Sequence, residues 1–267
     1  MAKRDDEEKK LLNEVLPNVA AQMRGPLSVL HASVQKLIRQ NAPEVAQLNQ
    51  SYHQLLRLAG NLSAAEMLAE EPYLYEQKNG DIVAFCRTLS QRLQQLAEGQ
   101  GIAFSFECAC KSHVICYHER LIERLILNLV SNALKFTPEG GKITLSVQLR
   151  KEQVLLSVAD TGCGISEDKM ETLFDRYLHS ERMDPQPHGL GLGLPLCRAI
   201  AQAHGGRIFA QSQVGAGTRI TVALPDWRRD VYEVRDAAFD YTGGFDHVLV
   251  ELSDALSAHA YEKKDGN

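Results

Sequence analysis

Two glycine-rich segments are the parts of this chain best suited to chemistry. Asp160 follows the apolar run 154–159, so a carboxylate lies at the end of a predicted buried strand, where it needs a polar partner such as an exocyclic amine. The glycines of residues 160–165 (DTGCGI) permit positive φ and close backbone approach. Residues 189–194 (GLGLGL) lead into a helical apolar pattern over 195–201, and free N–H groups at a helix start suit anionic phosphate. Either segment alone could be an ordinary turn, but the pair in this order predicts a nucleotide pocket.

A third segment, residues 125–138, predicts a helix that carries amide side chains. Asn128 and Asn132 are one helical turn apart, so both amides share a face beside an apolar stripe. Amides on an otherwise apolar helix are costly to bury unless they meet water, a metal or a ligand; the alternative is a cap or a core hydrogen bond. Lys135 adds a point charge suited to phosphate.

With these segments in place, the chain resembles the catalytic, ATP-binding domain of sensor histidine kinases. That domain belongs to a superfamily shared with type II topoisomerases, mismatch-repair ATPases and a heat-shock chaperone. The resemblance extends over about residues 75 to 225, and the family's motifs occur in the family's order: the N box at 128–135, the G1 box at 160–164, the F box at 173–177, the G2 box at 189–193 and a final glycine motif at 215–218.

The resemblance implies that ATP and Mg²⁺ are cofactors, with Asn132 as a magnesium ligand, Lys135 on phosphate and Asp160 on the adenine amine. Residues 166–188 would form a mobile lid over the nucleotide. The residues that we predict to contact the nucleotide are Asn128, Asn132, Lys135, Phe136, Asp160, Gly162, Gly164, Ile165, Arg176, Gly189, Leu190, Gly191, Leu192, Gly193, Leu194 and Thr218.

The amide at Asn128 bears on the reaction. Hydrolytic members of the superfamily carry a glutamate one turn before the metal-binding asparagine, where it activates water, whereas histidine kinases carry asparagine. Because an amide cannot accept a proton at neutral pH, we expect simple ATP hydrolysis to be disfavoured. Phosphoryl transfer depends mainly on positioning and charge neutralisation, which Mg²⁺, Lys135 and glycine amides can supply.

The N-terminal part predicts two long amphipathic helices. Apolar residues recur at three- and four-residue steps over 12–38, and again over 45–67, where the stripe includes Leu48, Tyr52 and Leu55. One hairpin cannot bury both stripes, so we expect two copies to form a four-helix bundle, which makes the protein a homodimer. This pattern resembles the dimerisation and phosphoacceptor hairpin of histidine kinases.

Residues 21–27 resemble the phosphoacceptor box of that hairpin, usually His-Glu-Leu-Arg-Thr-Pro-Leu, and Arg24 is among the matching positions. Ala21 stands where the family has its acceptor histidine, and Gln22 stands where the adjacent base lies. A methyl group cannot take a phosphoryl group. His31 is a non-standard alternative acceptor, ten residues beyond Ala21 and about 15 Å further along the helix axis.

Two functional hypotheses follow. In the first, the protein is a nucleotide-dependent regulatory dimer of a two-component pathway that binds ATP and Mg²⁺ and lacks standard autophosphorylation. In the second, it is an active kinase that phosphorylates His31, or a histidine or serine of a partner. A response regulator or a partner kinase is a possible partner under either hypothesis.

The fold that we predict is α+β. It consists of a helical hairpin over 1–72, an ATP-binding domain over 73–225 and a C-terminal extension over 226–267. The ATP-binding domain is expected to be a two-layer α/β sandwich, a mixed sheet with helices on one face. In the extension we predict an extended segment at 232–241 and an amphipathic helix at 245–261, docked on the core through Trp227, Phe239 and Phe245 or used as a partner contact.

Composition excludes several other classes. The net charge of -5 and pI near 6.0 provide no basic field for nucleic acid. No apolar run approaches the roughly 20 residues that span a bilayer, and no signal peptide is recognisable, so we expect a soluble, cytoplasmic protein without a membrane segment.

Six cysteines suggest a reducing compartment. Five cysteine and histidine residues between 108 and 118 are close enough in sequence to suggest zinc, but alternation at Cys108 and Cys110 and at Val114 and Cys116 favours two strands instead. Cys163 is read as a small filler in the glycine loop.

Overall fold

The computed structural model describes Leu30 and residues 43–70, 77–170, 173–174, 193–229 and 246–261. These residues fall into two compact units, one with residues 43–70 and 246–261, the other with residues 77–229. The helices in chain order are α1 (Pro43–Glu70), α2 (Ile82–Glu98), α3 (Glu119–Phe136), α4 (Glu167–Met170), α5 (Gly193–Ala203) and α6 (His247–Glu251), followed by a 3-10 helix at Ala258–Tyr261.

The larger unit is a two-layer α/β sandwich, which confirms the fold predicted for the ATP-binding domain. Its strands are β1 (Lys78–Asp81), β2 (Ala103–Cys108), β3 (Val114–Tyr117), β4 (Lys142–Arg150), β5 (Gln153–Asp160), β6 (Arg207–Gln213) and β7 (Gly217–Pro225). Five of them form a mixed sheet in the order β2-β4-β5-β7-β6, with β2 and β4 parallel and the other neighbours antiparallel. β1 and β3 form a separate antiparallel pair.

The core of this unit lies between one face of the sheet and the helices α2, α3 and α5. In β4 the residues Ile143, Leu145 and Val147 alternate onto that face, and all three are buried. On α3, Leu125 and Ile126 are fully buried. Each such side chain contributes about 1.5–3 kcal/mol of transfer free energy, so core burial fixes the position of the helix whose amides were singled out above.

Caps determine where two of these helices begin. The Asp81 carboxylate accepts hydrogen bonds from the N–H groups of Val83 and Ala84, both at 3.0 Å, and so starts α2. His118 caps α3, because its Nδ1 accepts from the N–H of Leu121 at 3.3 Å. The helix predicted over 125–138 and the buried strand predicted over 154–159 correspond to α3 and β5.

His204 connects α5 to the start of α3. Its Nε2 accepts a hydrogen bond from the N–H of His118 at 3.1 Å, so its Nδ1 must carry the proton that is donated to Ile200 O at 2.8 Å. The ring is buried and must therefore be neutral. Burial lowers the pKa of His204 to about 4, aided by the nearby His118 and opposed by the bond to Ile200.

This geometry predicts a pH dependence of stability. The fold favours the neutral ring, so the stabilisation by His204 is complete above its ordinary pKa of 6.5 and is lost as the pH falls towards 4. The loss should be on the order of 3 kcal/mol. Urea unfolding at several pH values should show it, and His204→Gln should remove that part of the pH dependence. Equal pH dependence in both proteins would contradict the assignment.

The smaller unit consists of α1 and the C-terminal segment 246–261. Tyr52, Leu56 and Ala59 of α1 form an apolar cluster with Val250 of α6. Beside this cluster, side-chain amides of α1 donate to backbone carbonyls of the segment: Asn49 to Tyr261 (3.1 Å), Gln50 to Leu256 (2.6 Å) and Gln54 to Ser253 (3.2 Å). Arg57 adds ion pairs to Glu251 (3.5 Å) and Asp254 (2.6 Å).

One prediction for these residues is wrong. The single helix at 245–261 is instead α6, a turn and a 3-10 helix, because the turn presents carbonyls to the amides of α1. In the predicted apolar stripe of α1, Tyr52 is buried, whereas Leu48 and Leu55 are 39% and 37% exposed in the single chain. Of the other helix predicted for the hairpin, over 12–38, Leu30 alone is described.

Of the three residues proposed to dock the extension on the core, Trp227 alone is described. Trp227 belongs to the larger unit, where its carbonyl accepts from the N–H of Cys116 at 2.8 Å. Phe239 and Phe245 lie outside the described residues, as does the predicted extended segment at 232–241. Within the part of the chain that is described, no helix is both long enough and apolar enough to cross a membrane.

Candidate functional site

Asp160 is the centre of the candidate site. It is half-buried at the end of β5, and its Oδ1 accepts hydrogen bonds from the N–H groups of Gly162 (2.9 Å) and Thr218 (3.2 Å). Burial raises the pKa of Asp160, and these two hydrogen bonds oppose the rise. Within the described ranges no residue donates to the second oxygen, Oδ2. The carboxylate is therefore held rigidly by one oxygen while the other can accept from a ligand.

The loop after Asp160 is clamped between the end of α3 and the β6–β7 turn. Gly162 packs so closely on α3 that a Cβ there would lie 2.3 Å from the carbonyl oxygen of Phe136. That carbonyl also accepts from the N–H of Cys163 at 3.3 Å, and the carbonyl of Cys163 accepts from the N–H of Gly215 at 2.8 Å. Because backbone surrounds it on two sides, the loop has little room for any residue except glycine at Gly162.

Gly164 and Ile165 continue the loop along β6. Gly164 has φ of +72°, and a Cβ there would lie 2.1 Å from the carbonyl oxygen of Gln213. The N–H of Ile165 donates to Ser212 Oγ at 2.8 Å, and that hydroxyl also bonds the Gly217 carbonyl and Thr218 Oγ1, both at 2.9 Å. Ser212 thus connects the glycine loop to β7, the strand whose residue Thr218 donates a hydrogen bond to Asp160.

Ser212 was missed by the sequence analysis because it lies outside every motif. The role of Ser212 could have been found only by predicting the pairing of β6 with β7, in which Ser212 is the direct partner of Thr218.

A pair of neighbouring glycines tests how tightly Asp160 is packed. Gly217 has φ of +105°, and a Cβ there would lie 2.0 Å from the carbonyl oxygen of Asp160, whereas Gly215 has φ of +78° and open space around it. We expect Gly217→Ala to lower the free energy of unfolding by about 1–3 kcal/mol more than Gly215→Ala, because only the first change adds a collision with backbone.

Urea unfolding of the two glycine variants measures this difference, and Gly215→Ala controls for positive φ alone. Equal losses in the two variants would show that the Asp160 backbone can move out of the way, which would contradict a rigidly held carboxylate.

The amides of α3 occupy two different environments. Asn128 is fully buried; its Nδ2 donates to Arg124 O at 2.9 Å, and its Oδ1 lies 2.8 Å from the position of a Cβ on Gly193. It therefore makes the core hydrogen bond that the sequence had left as an alternative, and it lies against the first residue of α5. Asn132 and Lys135, further along the helix, are half-buried.

The structure brings some predicted site residues together and does not describe others. Asp160, Gly162 and Thr218 are joined by hydrogen bonds, and Phe136, which is 47% exposed, lies beside them through its backbone. Gly193 and Leu194 begin α5 and are half-buried. The predicted residues that lie outside the described part are Ala21, Gln22, His31, Arg176, Gly189, Leu190, Gly191 and Leu192, together with most of the predicted lid.

The cysteines and histidines between 108 and 118 separate into different contacts. Cys108 Sγ and Cys110 Sγ lie 3.2 Å apart, His113 Nε2 pairs with Asp226 Oδ1 at 2.9 Å, and His118 caps α3. Among the described side chains, no group of three or more His, Cys, Asp or Glu is arranged to hold a metal ion.

Comparison with known proteins places this geometry in a family. Residues 117–228, which include Asp160, its two amide partners and the helix of Asn128 and Asn132, match the family described as histidine kinase-, DNA gyrase B-, and HSP90-like ATPase. The chain contains an ATPase domain of this family. Domains of the family bind ATP, and two-component sensor kinases contain such a domain.

Relatives of this histidine-kinase-like chain extend the similarity beyond the ATPase domain. Sensor histidine kinase WalK of Bacillus subtilis is 30% identical over 222 residues, which cover 79% of this chain but 36% of WalK. The chain thus spans about a third of that relative.

Two solved structures share the fold. The catalytic domain of histidine kinase ThkA has a TM-score of 0.50 and 25% identity, covering 57% of this chain and 97% of that domain. Full-length ShkA in complex with AMPPNP has a TM-score of 0.67 and 24% identity, covering 81% of this chain and 46% of ShkA.

Proposed function

We propose that this protein binds ATP and Mg²⁺ in its ATPase domain and acts as a nucleotide-dependent regulatory dimer in a two-component pathway. The observation that supports the nucleotide site is the Asp160 carboxylate, with Oδ1 fixed by two backbone amides and Oδ2 available to an exocyclic amine. The fold shared with ShkA, whose structure contains AMPPNP, agrees with this proposal.

The described residues fit an adenine nucleotide by their chemistry. A half-buried carboxylate that is held by backbone amides suits the adenine amine, and the half-buried Asn132 and Lys135 lie on the helix whose end contacts the same glycine loop. In this assignment Asn132 would be a ligand of Mg²⁺ and Lys135 would contact phosphate, and the glycines of segment 189–193 are assigned to phosphate binding. Bound ATP supplies the phosphoryl group, and Mg²⁺ neutralises charge on its phosphates.

The regulatory part of the proposal depends on the N-terminal sequence. Ala21 and Gln22 replace the acceptor and the base of the histidine kinase box, so the usual phosphohistidine cannot form. Leu48 and Leu55, seven residues apart and exposed on α1, provide an apolar line for a second copy. Nucleotide occupancy would then be sensed through the dimer by a response regulator or a partner kinase.

The test is incubation of the full chain with γ-labelled ATP, with and without candidate response regulators and kinases, followed by acid treatment of any labelled protein. We expect no label on the protein alone or on a partner, although ATP is bound. His31→Ala and Asp160→Asn are the matched variants.

Acid-labile label that disappears in His31→Ala would show a non-standard acceptor. Label on a partner that is lost in Asp160→Asn would show an active kinase, which is the alternative hypothesis. Either result would overturn the regulatory assignment and leave ATP binding intact.

A further inference from the structure

A pair of thiols lies outside the candidate nucleotide site. Cys108 ends the edge strand β2, Ala109 is exposed at a bend, and Cys110 follows it. The two Sγ atoms are 3.2 Å apart, both cysteines are half-buried, and neither is in a disulfide. Sulfur atoms this close need to approach by only about 1 Å to form a disulfide bond.

The backbone on both sides of the pair is fixed. In the parallel β2–β4 register Cys108 is the partner of Val147. Beyond Cys110, the carbonyl of Lys111 accepts from Arg87 Nη1 at 3.2 Å, and the N–H of His113 donates to Asp81 Oδ1 at 3.1 Å. The strand and these two hydrogen bonds hold the short segment between them, so the backbone positions of both cysteines are fixed by the fold.

A nearby cysteine differs from this pair in accessibility. Cys86 on α2 is completely buried, and burial raises its pKa to about 12, with a smaller contribution from the charge of Cys108. A thiol with so high a pKa supplies almost no thiolate, which is the nucleophile in disulfide chemistry. The hydrogen bond with Cys108 also raises the pKa of Cys110, but Cys108 and Cys110 are both partly open to solvent, so they are the partners that a reagent can reach.

We propose that Cys108 and Cys110 are a redox modification site that a small-molecule disulfide oxidises to an intramolecular disulfide. One thiolate attacks the reagent disulfide, forms a mixed disulfide and releases one reagent thiol. The other thiolate then attacks the protein sulfur of the mixed disulfide, closes the Cys108–Cys110 bond and releases the second reagent thiol. Two protein thiols are oxidised and one reagent disulfide is reduced to two thiols.

The bond would form at the start of the segment that leads through β3 to α3. In a reducing compartment, disulfides are usually transient and serve redox sensing. The site does not require that the protein bind ATP.

The test uses the whole 267-residue chain with defined ratios of oxidised and reduced glutathione, followed by acid quenching, alkylation and peptide mass spectrometry. We expect the peptide with both cysteines to lose two hydrogen masses and to resist alkylation. Exposed Cys163, in the same sample, should form only a mixed disulfide with glutathione. In Cys108→Ser and in Cys110→Ser the remaining thiol should retain glutathione, because no neighbour is present to displace it.

The proposal is overturned if both thiols stay alkylatable at glutathione ratios that modify Cys163. It is also overturned if the unmodified sequence accumulates stable glutathione adducts at Cys108 or Cys110, or if Cys108 pairs with Cys86. The measurement on the unmodified sequence decides the outcome even if a serine variant folds poorly.

Discussion

Asp160→Asn should lower the affinity for Mg²⁺-ATP by at least about 100-fold with little change in stability. The asparagine Oδ1 can keep the hydrogen bonds from the N–H groups of Gly162 and Thr218. Its Nδ2 replaces the carboxylate Oδ2 with a donor, which would face the donor of the adenine amine. Two donors cannot pair, and the charge that strengthened the bond is lost, so the nucleotide loses affinity while the loop keeps its contacts.

Calorimetric titration of the two proteins with the same nucleotide measures this loss. Glu107→Gln is the matched control, because Glu107 is an exposed carboxylate on β2 whose nearest cation, Lys142 Nζ, lies 3.9 Å away. It should bind nucleotide like the unmodified protein. An Asp160→Asn variant with unchanged affinity would remove Asp160 from the adenine site.

Glu251→Leu should lower the free energy of unfolding of the smaller unit by about 3–5 kcal/mol. Glu251 is completely buried and Arg57 is 4% exposed, with 3.5 Å between Glu251 Oε2 and Arg57 Nε. Removing the Glu251 carboxylate leaves the Arg57 guanidinium buried with less negative charge beside it. Asp254, at 2.6 Å from Arg57 Nη1, would remain and limits the loss.

The double variant Arg57→Met with Glu251→Leu separates charge from packing, because it removes both buried charges and fills similar volume. We expect it to be more stable than the single variant, as shown by thermal unfolding of the full chain. A single variant within about 0.5 kcal/mol of the unmodified protein would contradict a buried ion pair that joins α1 to the C-terminal segment.

Local periodicity was enough to predict the strand that ends at Asp160 and the helix of Asn128, whereas the ATPase domain followed from the resemblance of the motifs to those of histidine kinases. The buried strand ending at Asp160 and the helix of Asn128 each show the periodicity of their own element, so no distant contact is needed to recognise them. By contrast, β1 has the polar sequence KNGD and exists through its pairing with β3, for example Gly80 with Ile115, which no local pattern indicates.

The buried polar residues of α1 could not be predicted for a related reason. Apolar spacing selected Tyr52, which is buried, but Asn49 and Arg57 are also buried because their partners, Tyr261 and Glu251, lie about 200 residues away in sequence. Polar groups become core residues only when distant partners satisfy them. Ser212 was missed for the same reason, because its role depends on the pairing of β6 with β7, which no local pattern indicates.

The most direct test of the nucleotide site is a calorimetric titration of the unmodified, folded protein with a nonhydrolysable ATP analogue, with and without Mg²⁺. We expect one nucleotide to bind per chain, with saturation in the micromolar to submillimolar range and tighter binding when Mg²⁺ is present. Absence of heat and of any thermal stabilisation at millimolar analogue would contradict the proposal that Asp160 and its glycine loop form a nucleotide site.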